Sequence, residues 1–165
     1  MRLAMPWLSL SEKTVVRVPI DEIFRMRLSA LERIIDDQRR RGDYVLACVA
    51  YGGDSRSMRI DNLDSLAIVS AKQSVQFHVD ACHGSQLAFS ELHRRKLRGI
   101  ERTDSITIGS HKVLWIPNTC SFSLFEESQS LANVATSLDL ILKISWSLGQ
   151  ITSFVGSKAF NSLKL

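Results

Sequence analysis

The sequence predicts an α/β domain built on a largely parallel sheet, and three observations predict it. Apolar runs of strand length alternate with helical spacing between Tyr44 and Val79. The runs Tyr44 to Tyr51 and Val75 to Val79 are apolar enough to suit strands buried on both faces. Polar residues follow three of the expected strands, at Asp54-Ser55, Asp80 and Ser110-His111-Lys112, where open α/β sheets gather their ligands.

In chain order, Val15 to Ile20 is a short β-branched run closed by Pro19. Phe24 to Arg41 carries Met26, Leu28, Leu31, Ile34 and Ile35 close to helical spacing, and Gly42 supplies the stop. Tyr44 to Tyr51 (YVLACVAY) reads as a central strand, bounded by Asp43 and Gly52-Gly53, with a turn-rich stretch to Ser57. Asp61 or Asn62 caps a helix that runs through Lys72 with Leu63, Leu66, Ala67 and Val69 to bury, and Val75 to Val79 is the next strand. Ser85 to Lys96 reads as helix, Ser105 to Ile108 as a short strand and Cys120 to Phe125 as a further strand. Beyond Glu126, an apolar stretch at Leu138 to Ile144 sits in Ser-rich surroundings. No repeat or linker divides the chain, so residues 1–165 read as a single domain.

Composition narrows the function classes. The 165 residues are 45% hydrophobic and 23% charged, a globular balance, and 21 basic against 17 acidic residues give a formal charge of +4. The basic groups Arg39 to Arg41 and Arg94 to Arg98 lack interleaved aromatics and stand at expected helix ends, where cations are favoured, so nucleic acid is not an expected partner. Cys48, Cys82 and Cys120 are far apart and without Cys-x-x-Cys spacing, which indicates neither a disulfide framework nor a zinc site. Met1 to Leu10 is broken by Pro6 and has no signal-peptide or membrane-spanning core. The expectation is a soluble cytoplasmic protein without a membrane partner.

Asp80 follows the apolar Phe77-His78-Val79, and by pattern alone it reads first as a helix cap or structural acid. Lys112 lies between His111 and the apolar run Val113 to Pro117; a lysine in apolar surroundings gains nucleophilic amine character, whereas its bland reading is a surface lysine at a strand end. His83 reads as a structural hydrogen-bonding residue.

Taken together, His78-Val79-Asp80-Ala81, then Gly99-Ile100-Glu101-Arg102-Thr103-Asp104-Ser105, then His111-Lys112, with Asp61-Asn62-Leu63 upstream, resemble the group II pyridoxal phosphate-dependent amino-acid decarboxylases. The resemblance covers most of the chain and implies a partial large cofactor-binding domain of fold type I. It implies pyridoxal 5'-phosphate as cofactor, with Lys112 forming the Schiff base and Asp80 pairing with the protonated pyridine nitrogen. It places Ser55 near the ring oxygen, His111 on the phosphate side, and Cys82 where the family commonly has a small alanine against the cofactor face. Glutamate, aromatic amino acids or related compounds are the implied substrates, and a homodimer the implied assembly.

Departures from the family pattern are specific. Gly109-Ser110 stands where a polar residue and a proline usually precede His-Lys. The family's upstream phosphate loop and ring-stacking histidine have no counterpart before Met1, and Tyr44 and Tyr51, the only tyrosines, both precede Lys112. The small C-terminal domain of the family has no counterpart either. These departures lead to the expectation of a truncated product, with a non-catalytic remnant that associates with a full-length relative as the alternative to a decarboxylase.

Overall fold

The computed structural model describes residues 5–6, 9–115 and 121–127. The chain separates into two compact units, Met1–Val45 and Leu46–Leu165.

The first unit centres on helix α1, Leu28–Arg40, which buries Ala30, Leu31 and Ile35 along one stripe. Its end is dictated by Gly42, whose φ of +85° is costly for any residue with a Cβ. Gly42 N–H donates to the Arg39 carbonyl and Asp43 N–H to the Gln38 carbonyl, which closes the helix with a Schellman turn. Arg39 and Arg40 lie in the last turn, as the charge pattern anticipates. The helix begins later than the apolar spacing predicts. Phe24 sits in a preceding turn with φ of +62°.

The second unit holds a four-stranded sheet in the order β1 (Ala47–Tyr51), β2 (Gln76–Asp80), β3 (Ser105–Ile108), β4 (Phe122–Phe125). Strands β1, β2 and β3 are mutually parallel, and β4 runs antiparallel to β3. Helix α2, Leu63–Lys72, connects β1 to β2 and packs against both. Asn62 caps it, its side-chain oxygen accepting from Ser65 N–H at 3.3 Å. Asp61 acts on the strand instead of the helix, because one of its carboxylate oxygens accepts from Tyr51 N–H at 2.9 Å and pins the loop back onto the end of β1.

The core of this unit forms where Leu63, Leu66, Ala67 and Val69 of α2 are buried together with Cys48 and Ala50 of β1 and Phe77 and Val79 of β2. Strand alternation then puts Gln76, His78 and Asp80 on the opposite face. The expectation of strands buried on both faces is therefore corrected, since both β1 and β2 alternate. The expected strand from Tyr44 also shortens to Ala47–Tyr51, with Tyr44 86% and Leu46 66% exposed. Pairing with β2 starts only at Ala47 opposite Gln76.

The expected helix from Ser85 to Lys96 is instead two short 3-10 turns, Ser85–Phe89 and Arg94–Leu97. Ser90 between them is extended, and its hydroxyl accepts from His93 N–H at 3.3 Å, an alternative to helical bonding that serine offers readily. The Gly99 to Ser105 motif has a structural explanation. Gly99 has φ of +97°, and a Cβ there would lie 2.2 Å from the Asp64 backbone nitrogen, so only glycine lets this segment press against the first turn of α2. Glu101 accepts from Gly99 N–H at 2.9 Å, and Arg102 pairs with Asp64 at 2.9 Å. Asp104 then accepts from Phe77 N–H at 2.6 Å, which aligns the start of β3 with β2.

Candidate active site

Because β1, β2 and β3 are parallel neighbours, their carboxyl ends at Tyr51, Asp80 and Ile108 fall on one edge of the sheet. The loops that follow meet through glycine. A Cβ on Gly84 would lie 1.8 Å from the Gly52 carbonyl oxygen, and one on Gly53 would lie 2.9 Å from Gly84 N and Cα. The loop after β1 is thereby packed directly on the loop after β2. Gly109 joins the third loop to the second: the space its Cβ would fill is 3.0 Å from the Cys82 carbonyl oxygen, 3.1 Å from Cys82 Cβ and 3.2 Å from Lys112 Cδ.

Asp80 ends β2 half-buried, and its Oδ1 accepts from Cys82 N–H at 3.1 Å, a bond that fixes the carboxylate's direction. The Cys82 thiol is pushed up to about 11, first by burial and then by the adjacent Asp80 carboxylate, with Lys112 acting in the opposite sense. Cys82 is thus a neutral side chain at pH 7, set between the carboxylate and the lysine. Lys112 itself is exposed, as the reading of a surface lysine at a strand end has it and not the reading of apolar surroundings, and its stem lies against Gly109.

His78 precedes Asp80 by two residues on the same face. Its Nδ1 shares a hydrogen bond with Ser105 Oγ at 2.8 Å and its Nε2 one with Thr107 Oγ1 at 3.1 Å. Burial lowers its pKa, against a smaller upward pull from Asp80, so the ring is neutral at pH 7. The two hydroxyls satisfy either tautomer.

Of the residues singled out from sequence, Asp80, Cys82 and Lys112 are brought together. His111 is half-buried in the same loop as Lys112, and the neighbouring Ser110 is fully buried. Ser55 lies exposed in the turn after Gly53 and makes no hydrogen bond among the described residues. That turn is organised by Asp54, whose carboxyl is held below the usual range by the Ser57 hydroxyl and by the N–H groups of Arg56, Ser57 and Arg59. His83 is half-buried in the loop after β2. Sequence reasoning missed the bridging role of His78 and the part of Gly84 and Gly109 in loop packing. The glycines were legible only as turn residues, since their contacts are non-local.

The arrangement offers an anchored carboxylate, a primary amine and a neutral thiol at one sheet edge, with an imidazole and a serine beside the amine. That donor set fits a phosphorylated pyridine aldehyde: the carboxylate for a protonated ring nitrogen, the amine for the aldehyde. Among the described residues no group of His, Cys, Asp and Glu is placed to hold a metal ion, and no helix is long and apolar enough to cross a membrane.

Comparison with known proteins gives the family. The profile of the pyridoxal-dependent decarboxylase conserved domain matches residues 9–147. An L-aspartate decarboxylase of Metarhizium robertsii is 35% identical over 159 residues, covering 92% of this chain and 31% of that relative. An L-2,4-diaminobutyrate decarboxylase of Rhizobium meliloti is 34% identical over 81% of this chain and 27% of its own length. Among solved structures, mouse CSAD in its apo form superposes with a TM-score of 0.79 at 30% identity, covering 87% of this chain and 31% of that one. The chain spans about a third of the length of these relatives or less. The fold is that of part of the large domain of fold type I pyridoxal phosphate enzymes, and the chain belongs to the pyridoxal-dependent decarboxylase family.

Proposed function

We propose that this chain binds pyridoxal 5'-phosphate at the carboxyl ends of β1, β2 and β3 and acts in the decarboxylation of an amino acid. The observation that carries this reading is that Cys82, whose N–H bonds the Asp80 carboxylate, meets the Lys112 stem at Gly109. Lys112 would be the amine that holds the cofactor covalently, and its Nζ would carry a proton near the reacting carbon. Asp80 keeps the ring nitrogen protonated, its Oδ1 already oriented by the Cys82 N–H. By the family resemblance, Cys82 would lie on the side of the ring face, His111 on the phosphate side and Ser55 near the ring oxygen. When bound, the cofactor supplies an electron sink for the carbon that loses carbon dioxide. Homodimeric assembly and a cytoplasmic location belong to the same proposal, in keeping with the family resemblance.

The test is release of labelled carbon dioxide by the full chain with added pyridoxal phosphate, offered L-aspartate, L-glutamate, L-2,4-diaminobutyrate and aromatic amino acids. One of these is expected to support release that Lys112→Ala abolishes. Asp80→Asn should slow it on the order of a hundredfold, with a melting temperature within about 2 °C of wild type. Release that survives in Lys112→Ala, or failure with every amino acid offered, contradicts the proposal.

A further inference from the structure

His78 is a half-buried imidazole to which the chemistry above gives no role, yet it is bonded at both ring nitrogens. Asp80 sits at the end of β2, whereas Lys112 is carried by the loop that leaves β3. Their relative placement therefore depends on how β3 is aligned with β2. Backbone pairing fixes that alignment over only three positions, His78 opposite Ser105, Val79 opposite Ile106 and Asp80 opposite Thr107. A slip of one residue would move Lys112 by about 3.3 Å and turn β3 over, face for face.

Among the described residues, the side-chain to side-chain hydrogen bonds joining β2 to β3 both belong to His78. One goes to its direct partner Ser105 and the other to Thr107, the residue opposite Asp80. The clamp lies on the face that carries Asp80, and Asp104 pins the other end of the same strand pair through Phe77 N–H.

We propose that His78 is a positioning residue that holds Lys112 in register with Asp80 by clamping Ser105 and Thr107 across the β2–β3 pair. This rests on the reading that Asp80 and Lys112 serve the cofactor. The role is in the imidazole's two hydrogen bonds and not in its volume. An aromatic ring without nitrogens loses the role, an amide that can both donate and accept restores part of it, and removal of the two hydroxyls reproduces the loss from the other strand.

The experiment follows the rate at which borohydride fixes pyridoxal phosphate to Lys112, by peptide mapping, with surface Lys96 as internal reference and thermal melting alongside. His78→Phe is expected to slow Lys112 labelling about tenfold relative to Lys96, the scale set by losing neutral hydrogen bonds. His78→Gln should recover most of the rate. Ser105→Ala with Thr107→Val should match His78→Phe, and combining all three should add no further loss. If His78→Phe does not fold, the double hydroxyl variant carries the same test with the imidazole intact. Wild-type labelling of Lys112 in both variants, or losses that follow melting temperature whichever hydrogen bond is removed, would overturn the positioning role alone. A wild-type chain with no preferential label on Lys112 would overturn the cofactor reading and this role together.

Discussion

Asp80, Cys82 and Lys112 illustrate how a site is set by backbone donors and glycine contacts more than by side-chain pairing. The Cys82 N–H orients the carboxylate, and the missing Cβ of Gly109 lets the cysteine and the lysine stem share one space. His78 supplies the residue-scale pH dependence. Its pKa lies below the ordinary histidine value of 6.5 because burial disfavours the cation. Below pH 6.5 the unfolded chain therefore takes up a proton that the folded chain resists, and stability falls as pH drops through that window. Urea melts at about pH 7.5 and about pH 5.5 should show a loss that His78→Gln reduces, by less than about 1 kcal/mol because the ring is only partly buried. An unchanged pH difference in His78→Gln would assign the loss elsewhere.

At the scale of elements, α2 ends as α1 does, but with serine in the glycine position. Ser74 has φ of +48°, with its N–H donating to the Ala71 carbonyl and Val75 N–H to the Ser70 carbonyl. Ser74→Gly should relieve the left-handed strain and stabilise the protein by about 0.5–1 kcal/mol, read as a shift in the urea midpoint at constant slope. Destabilisation would mean that the serine side chain contributes more than its backbone costs. The stops and caps are legible in the sequence because they are local: Gly42 ends α1 and Asn62 starts α2. The segments before Ala47 and after Ser85 depart from the sequence pattern for reasons of pairing and competing hydrogen bonds. Tyr44 to Leu46 is apolar but has no strand to pair with among the described residues, and Ser90 breaks a helical pattern by bonding nearby backbone.

For the molecule as a whole, the parallel order of β1, β2 and β3 turns three separated sequence motifs into one sheet edge. Alternation of strands and helix is enough to anticipate that edge, whereas the roles of Asp80 and Lys112 are legible only through the family resemblance. It does not anticipate the glycine contacts between loops, which join residues as distant in sequence as Gly52 and Gly84, or Cys82 and Gly109. Ser55 remains the least integrated of the expected site residues, exposed in a turn organised by Asp54. The comparisons extend the fold to relatives about three times as long, and in the described part of the second unit the chemistry-bearing residues stay at the carboxyl ends of the parallel strands.

On the proposed function, this edge presents one specific lysine to a pyridoxal cofactor. The most direct measurement is reduction of the chain with borohydride in the presence of pyridoxal phosphate, followed by mapping of the modified peptides in wild type and Lys112→Ala. The cofactor is expected chiefly on Lys112, with an absorption band of bound cofactor that the variant lacks. Equal modification of surface lysines in both proteins would contradict the assignment.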